Sequence, residues 1–397
     1  MHGKNIKKIK ILLVLLLTTA IFTACGENKT EELSKLSLLN SKYGLIEVES
    51  LNTEDSTKVA SFFLADLMKT DVMNSMKPQK EIIVKLDSDE EEYLQNMFLL
   101  KLRTDESFEE IVKNYEKLNL VSYAEPNFDL KLSAPAVVTK IKRKSINLQE
   151  SVSVQKVEDA KEGVIVAVID SGVDTNNDDF KGKIVNGWDF LKDKSAVGDS
   201  LGHGTHVAGI IVANSDAAKI MPLKFASAND GKMSDLVKAM KYAVDNNAKV
   251  INLSLGLEEK SKALKEAADY AANKNVAIVA AAGNYNSDKL FYPAAYADVF
   301  AVAALNSKGE KLFQSNYGKW VDYSAKAQDI LSDLPNNKHG YKTGTSQAAP
   351  FISARIAEIL SKNPEADLKE IRAELQRSSM SVPDEKFKGL LGMELIQ

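Results

Sequence analysis

Five short apolar runs, rich in β-branched residues, recur between residues 164 and 303. They are Val164–Ile169, Ile220–Phe225, Val250–Leu255, Val276–Ala281 and Val299–Ala303. The first is continuous, as expected for a strand buried on both faces in a parallel sheet covered by helices, and the others are similar. Helical periodicity lies between several of them, notably at Met233–Asn246 and Ala263–Asn273. Strands alternating with helices predict an α/β domain whose mainly parallel, twisted sheet is flanked by helices on both faces. Such sheets collect their chemistry at the carboxyl ends of the strands.

The chain before residue 150 has another texture. Leu45–Val48, Glu81–Leu86, Met97–Leu102 and Val121–Ala124 have strand character. Thr57–Met68 has helical spacing, with Val59, Phe62, Phe63 and Leu67 on related turns. Ser107 with Glu110 forms a capping-box pattern for a second helix, and Ile111, Tyr115 and Leu118 supply its buried face. The order β-α-β-β-α-β predicts a small two-layer α+β domain of ferredoxin-like type over 45–132. Residues 25–44 are polar and read as a tether. Residues 133–150 carry Ala134-Pro135-Ala136 and the basic Lys140, Lys142, Arg143 and Lys144. They read as an exposed linker, either a processing site or simply a solvated loop. The larger domain is expected over 151–397.

The N-terminus is tripartite. Lys4, Lys7, Lys8 and Lys10 precede 14 apolar or small residues, Ile11–Ala24, and then Cys25. A bilayer-spanning helix needs roughly 20, so 1–24 reads as an export signal peptide. Phe22-Thr23-Ala24-Cys25 resembles a bacterial lipobox, with phenylalanine where leucine is commoner. That resemblance implies lipidation of Cys25 and an extracellular protein anchored to the bacterial cell membrane; a freely secreted protein is the alternative. Cys25 is the only cysteine, so no disulfide can form within the chain. A net charge of −4 over 397 residues makes no case for nucleic acid as a partner.

Three stretches carry chemistry. Asp170 ends the first apolar run, within Asp170-Ser171-Gly172-Val173, where a buried carboxylate could be aimed; an aspartate before glycine is also a common turn former. His203 lies in Gly202-His203-Gly204-Thr205-His206-Val207-Ala208-Gly209, which continues as an apolar helix. A zinc helix would space its histidines four apart around a glutamate. Here His203 and His206 are three apart with no such glutamate, so no metal is assigned and His206 reads as structural. Ser346 lies in Gly344-Thr345-Ser346-Gln347-Ala348-Ala349-Pro350, a glycine turn before an alanine-rich helix. A serine hydroxyl needs a base to take its proton, and the base needs a carboxylate to hold its tautomer. Asn284, in Ala281-Ala282-Gly283-Asn284, can donate a carboxamide hydrogen bond to an oxyanion.

Together these stretches resemble the subtilisin-like serine proteases. Asp170, His203 and Ser346 occur in the chain order of that family's triad. Ile251-Asn252-Leu253-Ser254-Leu255-Gly256 and the closing Lys388-Gly389-Leu390 match as well, so the likeness covers about residue 146 to the end. It implies a serine endopeptidase with Asp170, His203 and Ser346 as catalytic residues and Asn284 as oxyanion donor. Ser254, Leu255, Gly256 and Gly283 are implied to bind an extended peptide or protein substrate. Val121-Ser122-Tyr123-Ala124-Glu125-Pro126-Asn127 resembles the last strand of the family's inhibitory propeptide. That implies a self-processing zymogen whose propeptide is its own inhibitor, cut between about Leu132 and Lys156. No cofactor is required for the chemistry. Structural calcium stays open, because the usual calcium-holding loop is missing from the short segment Ala213–Ile220.

Gln347 and Ala349 are mild departures from the family pattern around Ser346. Phe291, before Tyr292-Pro293, stands where many relatives have a small residue, implying a narrowed pocket and a preference for smaller side chains. Three readings follow: a broad protease, a dedicated protease for bacteriocin-type leader peptides, and a non-enzymatic binding scaffold that kept the fold.

Overall fold

The structure, a computed structural model, describes residues 27–43, 45–50, 79–87, 97–130, 163–195, 197–227 and 231–396. The signal peptide, Cys25, the helix expected at Thr57–Met68 and the linker at 133–150 lie outside the described residues. The chain divides into two units, Met1–Phe128 with Ser261–Glu266, and Asp129–Lys260 with Ala267–Gln397.

The first unit contains α1 (Glu27–Lys42), β1 (Leu45–Ser50), β2 (Gln79–Leu86), β3 (Met97–Arg103), α2 (Phe108–Tyr115) and β4 (Val121–Pro126). The strands form one antiparallel sheet in the order β1-β3-β2-β4, so β3 lies between β1 and β2. Ile82, Val84, Phe98, Leu100 and Leu102 pack with Ile111 and Tyr115 of α2 and Leu36 of α1 in one core. Ser107 caps α2 by accepting the Glu110 N–H at 3.1 Å, as its sequence predicts.

The polar tether expected over 25–44 is instead largely the helix α1. Its buried side includes Glu32, Leu36 and Asn40, and the buried Tyr43 directly follows it, all spaced at helical intervals. Two of these four are polar, which hid the amphipathic face. They are stabilised by partners distant in sequence: Tyr115 donates to Asn40 at 2.7 Å and the Asn119 N–H to Glu32 at 2.7 Å.

In the second unit, β5 (Asp129–Leu130) pairs antiparallel with β9 (Gly231–Lys232). Residues 129–130 therefore belong with this unit, and the boundary expected after residue 132 falls earlier. The main sheet is built from β6 (Val164–Asp170), β7 (Trp188–Asp189), β8 (Ala218–Lys224), β10 (Val250–Leu253), β11 (Ala277–Ala281), β12 (Val299–Leu305), β13 (Tyr323–Lys326), β16 (Ser379–Ser381) and β17 (Met393–Leu395). Their order is β16-β17-β13-β12-β11-β10-β6-β8-β7, parallel throughout except for β16 against β17. The five strands expected from the apolar runs are β6, β8, β10, β11 and β12, with ends shifted by at most two residues. The helices are α3 (His203–Asn214), α4 (Met233–Asp245), α5 (Lys262–Asn273), α6 (Thr345–Lys362) and α7 (Leu368–Arg377). A hairpin of β14 (Ile330–Leu334) and β15 (Lys338–Lys342) completes the unit.

From β6 the chain goes to β8 on one side, then returns to β10 on the other, leaving a topological switch point between β6 and β10. At such a point the crossovers diverge and open a crevice at the carboxyl ends of the strands. Asp170 is the last residue of β6, and Ser254 follows directly after β10.

Candidate active site

The base side grows from the end of β6. Asp170 is fully buried, and its Oδ1 lies 2.7 Å from His203 Nδ1 and accepts the Ser171 N–H at 2.7 Å. His203 opens α3, and the following Gly204 lets the helix start against the Asp170 loop. A Cβ on Gly204 would lie 2.1 Å from the Gly172 carbonyl oxygen and 3.0 Å from Asp170 Cβ. The helix start is held by Asp199, a buried carboxylate not singled out from the sequence. Its Oδ1 accepts from Ser171 Oγ at 2.9 Å, Leu201 N at 3.0 Å and Gly202 N at 2.8 Å. Its Oδ2 accepts from Thr205 N at 2.9 Å and Thr205 Oγ1 at 2.6 Å. A negative charge at a helix N-terminus is favourable because the first N–H groups have no partner within the helix. The Lys342 ammonium donates to the Gly202 carbonyl at 2.8 Å; burial pushes its pKa down, opposed by the nearby Asp170 and Asp199 charges.

His206, one turn along α3, is fully buried and faces the hairpin. Its Nε2 lies 3.1 Å from both the Ile330 and Gly340 carbonyls, to which it donates. Burial lowers its pKa to about 3, so it is neutral, as a structural histidine should be.

The nucleophile side grows from α6. Gly344, at φ 143°, turns the chain into the helix, and Ser346 sits in its first turn, 3 % exposed. Pro350 has no N–H, so it cannot bond the carbonyl four residues back, which is that of Ser346. Ser254 supplies the missing donor through Oγ at 2.9 Å. Asn252 Nδ2 donates in turn to Ser254 Oγ at 3.0 Å, and Ser353 Oγ donates to Asn252 Oδ1 at 2.8 Å. The Ser346 hydroxyl itself donates to the Ser254 carbonyl at 3.2 Å. Pro350, Asn252 of β10 and Ser254 just after it thus fix the start of α6 to the end of β10.

Asn284 follows β11. Its Oδ1 accepts from Thr345 N at 3.0 Å and Thr345 Oγ1 at 3.2 Å. That pairing commits the carbonyl end of the amide to α6 and leaves Nδ2 as the end able to donate elsewhere. Asn316, buried and also missed in the sequence, shapes this turn. It donates from Nδ2 to Ala282 O at 2.9 Å and accepts at Oδ1 from Tyr285 N and Ser287 N at 2.9 and 3.1 Å. Ser254, Leu255 and Gly256 lie in an extended segment after β10, and Gly283 precedes Asn284.

Between α3 and β8 only Ser215, Asp216 and Ala217 intervene, which matches the short segment noted in the sequence. Among the described residues, Asp179, Asp333 and His339 bring ligand-type atoms within 4.8 Å of one another. Two carboxylates and an imidazole do not make the all-oxygen shell that calcium takes.

The mainly parallel sheet thus carries an aspartate–histidine pair at the end of β6 and a helix-borne serine bonded to the segment after β10. The chain belongs to the subtilase family, whose model Peptidase_S8 matches residues 161–393, and it is a serine endopeptidase of that family. It is 36 % identical over 267 residues to the thermophilic serine proteinase of Bacillus sp. (strain AK1), covering 64 % of this chain and 67 % of that protein. Fervidolysin from Fervidobacterium pennivorans, a keratinolytic enzyme related to subtilisin, is similar at a TM-score of 0.68 and 25 % identity. The likeness covers 82 % of this chain, a wider span than residues 161–393, and 61 % of that one. A lanthipeptide protease is similar at a TM-score of 0.54 and 25 % identity, covering 58 % of this chain and 85 % of that one.

Proposed function

We propose that Asp170, His203 and Ser346 act as a catalytic triad on peptide bonds, with Asn284 stabilising the oxyanion. The observation that carries this reading is the 2.7 Å contact between His203 Nδ1 and Asp170 Oδ1. It places the proton on Nδ1 and leaves Nε2 as the basic nitrogen. His203 Nε2 takes the proton of Ser346 as Oγ attacks the substrate carbonyl, and Asp170 stabilises the imidazolium that forms. Oδ2 of Asp170 is buried with no hydrogen-bond partner among the described residues, so the positive ring beside it offsets an otherwise costly burial. The carbonyl oxygen, now negative, accepts from Asn284 Nδ2 and the Ser346 N–H. His203 then returns its proton to the leaving amine. Water attacks the acyl-enzyme by the reverse route and frees Ser346. The Ser346 hydroxyl donates to Ser254 in this structure; it must turn to His203 when substrate arrives.

The chain is made as a zymogen in this reading, with the first unit as propeptide and inhibitor. The breadth of the likeness to fervidolysin supports this, as does the antiparallel pairing of Asp129–Leu130 with Gly231–Lys232, an extended segment of the chain held as a peptide substrate would be. Export with a lipid anchor at Cys25 rests on the sequence alone. Among the described residues no helix is long and apolar enough to cross a membrane.

Expressing the chain with and without Ser346→Ala, and sequencing the mature N-terminus by mass spectrometry, tests the reading. The parent should lose its first unit, and Ser346→Ala should stay intact. Equal processing of both would refute self-cleavage. The similarity to a lanthipeptide protease favours a second reading, a dedicated leader-peptide protease. Degradation of casein at a rate comparable to that of any leader peptide would rule it out.

A further inference from the structure

We infer that Phe291 fills the pocket for the side chain just before the scissile bond, so that the enzyme cuts after glycine, alanine or serine and discriminates against large residues. The inference rests on the proposed triad and deepens it to a substrate class.

A carbonyl under attack must lie within reach of both Ser346 Oγ and Asn284 Nδ2. The side chain next to that carbonyl must then leave between the two segments flanking those atoms. One is 254–256, whose Ser254 carbonyl accepts from Ser346 Oγ. The other is 281–284, which ends in Asn284. Each presents a glycine, Gly256 or Gly283, and two bare glycine faces beside a nucleophile would ordinarily leave a slot.

Here the slot holds the ring of Phe291. A Cβ on Gly256 would lie 2.3 Å from Phe291 Cε1 and 2.7 Å from Cδ1, and a Cβ on Gly283 would lie 3.0 Å from both ring atoms. The ring therefore packs against both glycines at van der Waals contact. It is not placed to swing aside. Phe291 is 3 % exposed, and its ring centroid lies 5.7 Å from that of Tyr285. Its neighbour Tyr292 exchanges both backbone hydrogen bonds with Leu257, at 2.8 and 2.9 Å, and the Phe291 carbonyl accepts from Ala295 N at 2.8 Å. A large substrate side chain would have to expel a buried aromatic ring from this frame, whereas a methyl or hydroxymethyl group needs no such rearrangement.

The test compares peptide anilides that differ only in the residue before the bond, alanine against phenylalanine, cleaved by the processed parent enzyme and by Phe291→Gly. The parent should favour alanine by about 100-fold in kcat/KM, the scale on which a pocket rejects side chains that do not fit. Phe291→Gly should raise the phenylalanine substrate relative to the alanine one by about the same factor. Should Phe291→Gly fail to fold, the parent profile and the milder Phe291→Leu decide the matter. A parent enzyme that cleaves after phenylalanine as well as after alanine overturns the inference while leaving the triad standing. Absence of hydrolysis after any residue, with no labelling of Ser346 by a fluorophosphonate, overturns both.

Discussion

Beneath His203 a single buried carboxylate, Asp199, collects five hydrogen bonds. Beneath Ser346 the same task is divided among Ser254, Asn252 and Ser353, all neutral. The difference follows from what each helix start lacks. The start of α3 offers unpaired N–H donors, and an anion satisfies several at once. The start of α6 has a carbonyl orphaned by Pro350, and one hydroxyl donor is enough. The lesson is that a negative charge is spent where the site holds a cation transiently, next to the imidazole. The groups that hold Ser346 are neutral by contrast, and an anion in their place would raise the energy of a negative transition state.

The two sides differ first in what they contribute to turnover. His203→Ala should lower kcat by at least about 10³-fold, near the upper range for a general base, with KM little changed; a loss under tenfold would detach the base side from the chemistry. Asn284→Ala comes next. In subtilisin, the worked case for this effect, removing the oxyanion asparagine costs about 10²–10³ in kcat, and a comparable loss is expected here in steady-state peptide hydrolysis.

In stability the sides should separate further. Asp199→Asn should cost about 3 kcal/mol, since hydrogen bonds to a charged acceptor are the stronger class; calorimetry would show a melting point lower by about 6–12 °C for a unit of this size. Ser254→Ala removes one neutral donor and should cost about 1 kcal/mol. Equal costs at the two positions would erase the distinction.

The smallest effect is a slope. His206 is neutral in the fold with a pKa of about 3, while an unfolded histidine titrates near 6.5. Between those values the unfolded chain binds more protons, so stability should fall as pH is lowered from about 6.5 towards 3, by at most about 1.4 kcal/mol per pH unit. Denaturant melts of His206→Gln across that window should show a flatter acid limb than the parent, and an unchanged limb would assign the acid sensitivity elsewhere.

The strands of the larger unit were legible because a strand buried on both faces leaves an uninterrupted apolar run, as β11, β12 and Val164–Ile169 of β6 each do. Asp170, His203, Ser346 and Asn284 stand out in the sequence because each sits at an element boundary in a distinctive local sequence. Asp199 and Asn316 do not. An aspartate before Ser200-Leu201-Gly202 or an asparagine after Ser315 looks like any turn residue, and its value comes from partners brought up by folding. The hairpin β14–β15 went unread for a related reason: its strands include Lys338, His339 and Lys342, and it is recognised only through its packing on α3. Helix α1 reads as a tether in the sequence because its buried face carries the polar Glu32 and Asn40.

The central claim is that Ser346 is a nucleophile activated by His203. Its most direct measurement is mass-spectrometric mapping of a fluorophosphonate adduct on the processed enzyme. The account predicts one adduct, on Ser346, forming with loss of peptidase activity and abolished in His203→Ala. Full peptidase activity with Ser346 unmodified, or an adduct on another residue that accounts for the inactivation, would contradict it.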